Sequence, residues 1–107
     1  MPAPVLAGLR PAIARNVGID SVVIQGRIAY HGGVLQAAGG GAATVTVYDG
    51  SSTSDQFRDV FAAAASDVVS RWYERGVEFV RGIYVDLGPN VSNFVIFFSM
   101  VEEGEGV

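Results

Sequence analysis

His31 is the only histidine, and the chain has neither cysteine nor lysine, so the side chains that most often serve as general base, nucleophile or soft metal ligand come down to one imidazole. His31-Gly32-Gly33 has the form of a glycine-rich oxyanion loop of an esterase. No G-x-S-x-G accompanies it to supply the nucleophile, and without one the match carries no chemistry. Gly39-Gly40-Gly41 runs into Ala42-Ala43-Thr44, which meets neither the dinucleotide fingerprint nor the phosphate loop, and the latter needs a lysine. Asp55 and Asp59, and Glu102, Glu103 and Glu105 near the C-terminus, lack the alternating oxygen ligands and fixed glycine of a calcium loop, so we read them as solvated charge. Glycoside hydrolysis needs two carboxylates facing each other across a cleft, which a domain of this size seldom offers. These residues predict a non-enzymatic protein with no catalytic residue, no cofactor and no metal.

The elements that must position any binding residues follow from the 107-residue length, which allows one domain, and from a composition that is 50% hydrophobic and 17% charged. The most apolar run, Phe94–Phe98, falls far short of the ~20 residues a membrane helix needs. A net charge of −4 lacks the attraction to phosphate that drives nucleic-acid binding, so neither membrane nor nucleic acid is expected as a partner. All seven cationic side chains are arginine. GC-rich codon usage is the simpler reason, and the preference of interfaces for arginine over lysine is the second.

Prolines 2, 4 and 11 predict an extended N-terminal arm over residues 1–17, and together with Arg10 and Arg15 they break up the apolar stretch of an export signal, which points to synthesis in a cytoplasm. The match of Asn90-Val91-Ser92 to a glycosylation acceptor then has little meaning. From residue 18 to 101 the chain reads as a β-domain, and residues 102–107 as a fraying acidic tail. Short β-rich runs over 20–25, 27–36, 43–49, 56–62, 68–74, 77–81, 82–87 and 93–101 are separated by glycine, asparagine, aspartate and serine clusters. This rhythm predicts an all-β fold, an antiparallel β-sandwich or jelly-roll-like barrel of about 7–8 strands. Residues 56–69 also allow a helix, through the Phe57–Phe61 spacing and the alanines at 62 to 65. We take a strand to about Ala62 followed by a loop.

Parity then places side chains on faces. His31 shares a face with Arg27 and Ala29, opposite Ile28 and Tyr30, and reads as an exposed surface histidine. Trp72 reads as a core residue, with Arg71 and Tyr73 on the outside as interface candidates. In 94–101 both faces are apolar, so Val95 and Phe97 need a cover from the same domain or from a partner. Val5, Leu6, Leu9 and Ile13 are the apolar side chains the arm would bring to an interface.

The strings ATVTVYDGSSTS, WYERGVEF and RGIYVDLGPNVSNFVIFF resemble small all-β virion proteins of tailed bacteriophages, in which a VTVYDG strand and turn, a (F/Y)xxGVxF strand and a closing GLYVxVxGNVxxVTVYY unit recur. The resemblance covers about residues 27–98. It departs at the closing strand, where FVIFF replaces an alternating ending. It implies a structural subunit of a phage particle, such as a head decoration (cement) protein or another head or tail accessory protein. Its partners would be the major capsid protein or other virion proteins, and its location the virion. The apolar face and arm add the expectation of a closed homo-oligomer, a trimer being favoured. A carbohydrate- or receptor-binding role at a tail or head fibre, with Tyr48, Trp72, Tyr73 or Tyr84 as stacking platforms, is the alternative.

Overall fold

The computed structural model describes residues 13–100, which form eight strands: β1 Ile13–Asn16, β2 Ser21–Gln25, β3 Ile28–Ala37, β4 Ala43–Asp49, β5 Gln56–Ala63, β6 Val68–Phe79, β7 Gly82–Leu87 and β8 Val91–Met100. Val101 and the tail lie outside the described residues, as do Val5, Leu6 and Leu9. Residues 13–16 of the segment read as an arm are β1, antiparallel to β8. The segment open to two readings is a strand, β5, followed by a turn over 64–67. The runs 68–74 and 77–81, read as two strands, are one. Gly76 at φ 80° absorbs the irregularity between them, and the chain turns only after Phe79.

The strands form a front sheet, ordered β1-β8-β3-β6, and a back sheet, ordered β2-β7-β4-β5. The pairs β1·β8, β2·β7, β3·β6 and β4·β5 are those of one long antiparallel hairpin. Rolling that hairpin up brings β3 beside β8 and β4 beside β7, which closes both sheets. This is the topology of a jelly roll.

Alternation puts the core where the sheets face each other. Ile28, Tyr30, Leu35, Phe79, Phe94, Ile96 and Phe98 of the front sheet meet Val45, Val47, Phe61, Ile83 and Val85 of the back sheet, all fully or almost fully buried. The Phe61 and Phe94 rings pack edge to face at 5.2 Å between centroids. Cutting any of these phenylalanines to alanine leaves a cavity that costs about 3–5 kcal/mol.

Two irregularities decide which side chains reach the surface. Between Tyr30 and Gly32 the register of β3 slips against both neighbours. Gly32, at φ 107°, is required there, since a Cβ would lie 2.1 Å from the Arg71 carbonyl oxygen. On β5, Val47 opposes Asp59 but Tyr48 opposes Phe57, so Arg58 is an extra, bulged residue. The bulge turns Phe57 outward while Asp59 and Phe61 stay buried.

Candidate functional site

A polar cluster in the interior joins the two sheets. Asp59 on β5 is buried, and its carboxylate accepts hydrogen bonds from the Tyr30 hydroxyl at 2.8 Å, the Tyr73 hydroxyl at 3.2 Å and the Arg71 guanidinium at 2.6 Å. Arg71 also donates to the Val60 carbonyl and lies 4.7 Å from the centroid of the Phe61 ring. Burial, and then the bond to Asp59, push the Tyr30 hydroxyl well above the ordinary tyrosine value; burial and the Asp59 charge push Tyr73 upward as well. Asp59, read as solvated charge, is thus an internal anchor. The expected orientation of 71–73 is reversed, because β6 lies across from β5 at the edge of the sandwich and Asp59 draws Arg71 and Tyr73 inward. Trp72 is left on the outside, 54% exposed.

His31 is corrected too. It points to the outer face, as parity required, yet it is only 8% exposed. The reason is the slip in β3: where the strand ladder is interrupted, the imidazole bridges the gap. Its Nδ1–H donates to the Tyr73 carbonyl at 2.7 Å, and Nε2 is hydrogen-bonded to the Ser99 hydroxyl, also at 2.7 Å. Trp72 stacks on the imidazole at 4.8 Å and 15° between planes, and Phe97 meets Trp72 edge-on at 5.8 Å. A serine bonded to a histidine whose other nitrogen is fixed has the spacing of an activated nucleophile. Ser99 is itself buried, however, and the indole lies over the ring that would have to act as base.

The centre of the front sheet's outer face is therefore apolar, with His31 and Ser99 bonded to each other beside it. Trp72, Gly32, Phe97 and Ala14 form one cross-strand row, and Ser70, Val34, Val95 and Asn16 form the next. Phe97, Val95 and Val34 are half-buried, and Val68 continues the apolar surface along β6 at 59% exposure. Of the residues named from sequence as interface candidates, Val95 and Phe97 stand on this face. Ile13, opposite the core residue Phe98, stands on the inner side of β1, and Arg71 and Tyr73 turn inward.

The outer face of the back sheet differs. Val22, Tyr84, Tyr48 and Phe57 lie in register across all four of its strands. Tyr48 is 6.3 Å from Tyr84 and 6.4 Å, edge-on, from Phe57. The neighbouring row holds Asp86, Thr46 and Val60. Asp86 is pushed upward by partial burial and then by the charge and hydrogen bond of Asp20, whose own carboxylate accepts from the Leu87 amide. Tyr48 and Tyr84 are among the stacking candidates read from the sequence, and Phe57 is not, because a bulge leaves no mark in the alternation until its partner strand is known.

A polar hollow of about 310 Å³ lies at one end, lined by Asp49, Ser54, Asp55, Gln56, Val80 and Arg81. Its acids are occupied in holding turns. Asp49 accepts from the Val80 and Arg81 amides; the hydrogen bonds that Asp55 accepts from the Ser51 and Ser52 amides, and then the charge of Arg81, hold its carboxyl below the usual value. Among the described residues no group of three or more His, Cys, Asp or Glu side chains is placed to hold a metal ion. Comparison with known proteins finds no family model, no curated protein and no solved structure that matches the chain.

Proposed function

We propose that the protein is a non-enzymatic structural subunit of a phage particle, a capsid decoration or cement protein that binds the capsid lattice as a homo-oligomer. The observation that carries this reading is the outer face of the front sheet, where Trp72, Phe97, Val95 and Val34 form an apolar surface beside which His31 and Ser99 bond to each other. Such a surface gains from contact with protein and offers nothing for chemistry. The jelly roll recurs in viral capsid domains, and the residues that resemble phage virion proteins point the same way; a fold alone assigns no function, so the face bears the argument. At about 25 cal/mol per Å² of apolar area, before association costs, burial of the face against neighbouring subunits supplies the driving force for assembly. A trimer on threefold sites is the expected arrangement. Sedimentation of the purified protein with empty phage heads tests this. Saturable co-sedimentation is expected, and its absence on heads that assemble and sediment normally would reject the reading.

A second reading, a carbohydrate- or receptor-binding role at a tail or head fibre, is favoured by the back-sheet row of Tyr84, Tyr48 and Phe57 beside Asp86 and Thr46. Ring faces beside carboxylate and hydroxyl groups suit a sugar, with its apolar C–H face and polar rim. Saturable binding on a glycan array that Tyr48→Ala abolishes would support this reading over the first.

A further inference from the structure

We propose that the apolar outer face of the front sheet is covered by residues 1–12 of a second copy of this chain. This deepens the oligomer part of the reading above, and does not depend on what the oligomer then binds. The first twelve residues carry Val5, Leu6 and Leu9 with a single charged side chain, Arg10, and prolines at 2, 4 and 11. That composition fits an apolar sheet face better than water. Each proline fixes its own φ and pushes the residue before it toward extended geometry, so the segment is suited to lie along a pleated surface. Twelve residues in that geometry reach about 40 Å.

The register gives the direction. Ile13 opposes Phe98 and Ala14 opposes Phe97, so the chain before Ile13 departs toward the Ser99 and Met100 end of β8. Trp72 and Phe97 lie in the Ala14 row, and Val95 and Val34 lie further in the opposite direction, level with Asn16. To cover its own face the segment must reverse just outside the sheet. Pro11 has no N–H with which to continue the β1·β8 ladder. Running on without reversal carries the segment off the sheet, where the matching face of a neighbour can receive Val5, Leu6 and Leu9. Repeated around a rotation axis, this exchange closes a ring.

Trp72 is the only tryptophan, so its fluorescence reports the state of this face directly. The experiment follows emission and molar mass of the full chain on dilution from high micromolar to nanomolar concentration, with the full-length double variant Leu6→Asp, Leu9→Asp alongside. The unaltered chain should be an oligomer with blue-shifted Trp72 emission, and dilution should move the emission to the red as the mass falls to that of one chain. The double variant should self-associate at least a hundredfold more weakly, with red-shifted emission throughout the micromolar range. A monomer with red-shifted emission at every concentration would overturn the proposal. So would a monomer with blue-shifted emission, which means self-cover, or an oligomer unmoved by the two aspartates, which means another contact. The dilution series of the unaltered chain decides even if the variant misfolds. An oligomer that behaves as expected but ignores phage heads would reject the proposed function and leave this inference standing.

Discussion

The two outer faces of the sandwich each carry aromatic rings in one cross-strand row, and they differ in the side chains beside those rings. On the front sheet the row is Trp72, Gly32, Phe97 and Ala14, flanked by Val34 and Val95 with Ser70 and Asn16 at the ends of their row, and the nearby polar side chains His31 and Ser99 are bonded to each other. On the back sheet the row is Phe57, Tyr48, Tyr84 and Val22, flanked by Thr46 and Asp86. The front face has an apolar centre, with its remaining polar side chains at the ends of the row. The back face keeps hydroxyls and carboxylates that water satisfies well. The difference shows that exposure of aromatic rings does not define a site by itself; the state of the polar groups beside them decides what partner the surface fits.

The largest expected effect comes from breaking what both faces share. Asp59 ties β5 to β6 through Tyr30, Tyr73 and Arg71, so Asp59→Ala leaves a buried hydroxyl and a partly buried guanidinium without their acceptor. The loss is expected to be about 3–4 kcal/mol in urea unfolding and to loosen both faces together. A change below about 1 kcal/mol would show that the sheets are held by apolar packing alone.

A smaller effect separates the interior from both surfaces by pH. Because Tyr30 is raised in the folded chain, the unfolded chain loses its proton first as pH rises past about 10. The stability tied to that proton is present below the ordinary tyrosine value and is lost above it, with a slope of about 1.4 kcal/mol per pH unit for one proton. Tyr30→Phe, about 1 kcal/mol less stable at pH 7 for want of one hydrogen bond, should show a shallower alkaline decline, so the two unfolding curves converge between pH 10 and 12. Parallel curves would show that Tyr30 does not set the alkaline limit.

The smallest effect is confined to the back face. Asp86 is raised by partial burial and by Asp20, so the stability linked to its proton is present at low pH and is lost as pH rises through its folded value. Asp86→Asn should therefore raise the melting temperature slightly at pH 7 and leave it unchanged near pH 3. The front face, with no carboxylate in its two rows, should show no such dependence in the Trp72 emission of the same variant.

The sequence made the strands legible because alternation and turn residues are local. Thr44 to Asp49 and Gly82 to Leu87 give their strands and faces directly. The site was only partly legible, and each miss has a local cause. Phe57 changes face because of the bulge at Arg58, and His31 is covered because the ladder slips beside it. Trp72 faces out because Asp59, on another strand, draws its neighbours in. Burial of polar residues depends on partners far along the chain, and here Tyr30, Arg71 and Tyr73 meet at Asp59 from three strands. Apolarity of β8 on both faces was plain from FVIFF, and the structure places that strand between β1 and β3 with its outer side half-buried.

The central claim is that the front face, and not the back, is where the protein meets its partners. Co-sedimentation with empty phage heads, run in parallel for Trp72→Ser and Tyr48→Ala, tests it most directly, since each substitution removes one ring from one partly exposed row. Binding should be lost or reduced at least tenfold for Trp72→Ser and stay within about twofold for Tyr48→Ala, an interface ring being worth roughly 1.4 kcal/mol or more. The opposite ranking, with Trp72→Ser binding as well as the unaltered chain, would contradict the account.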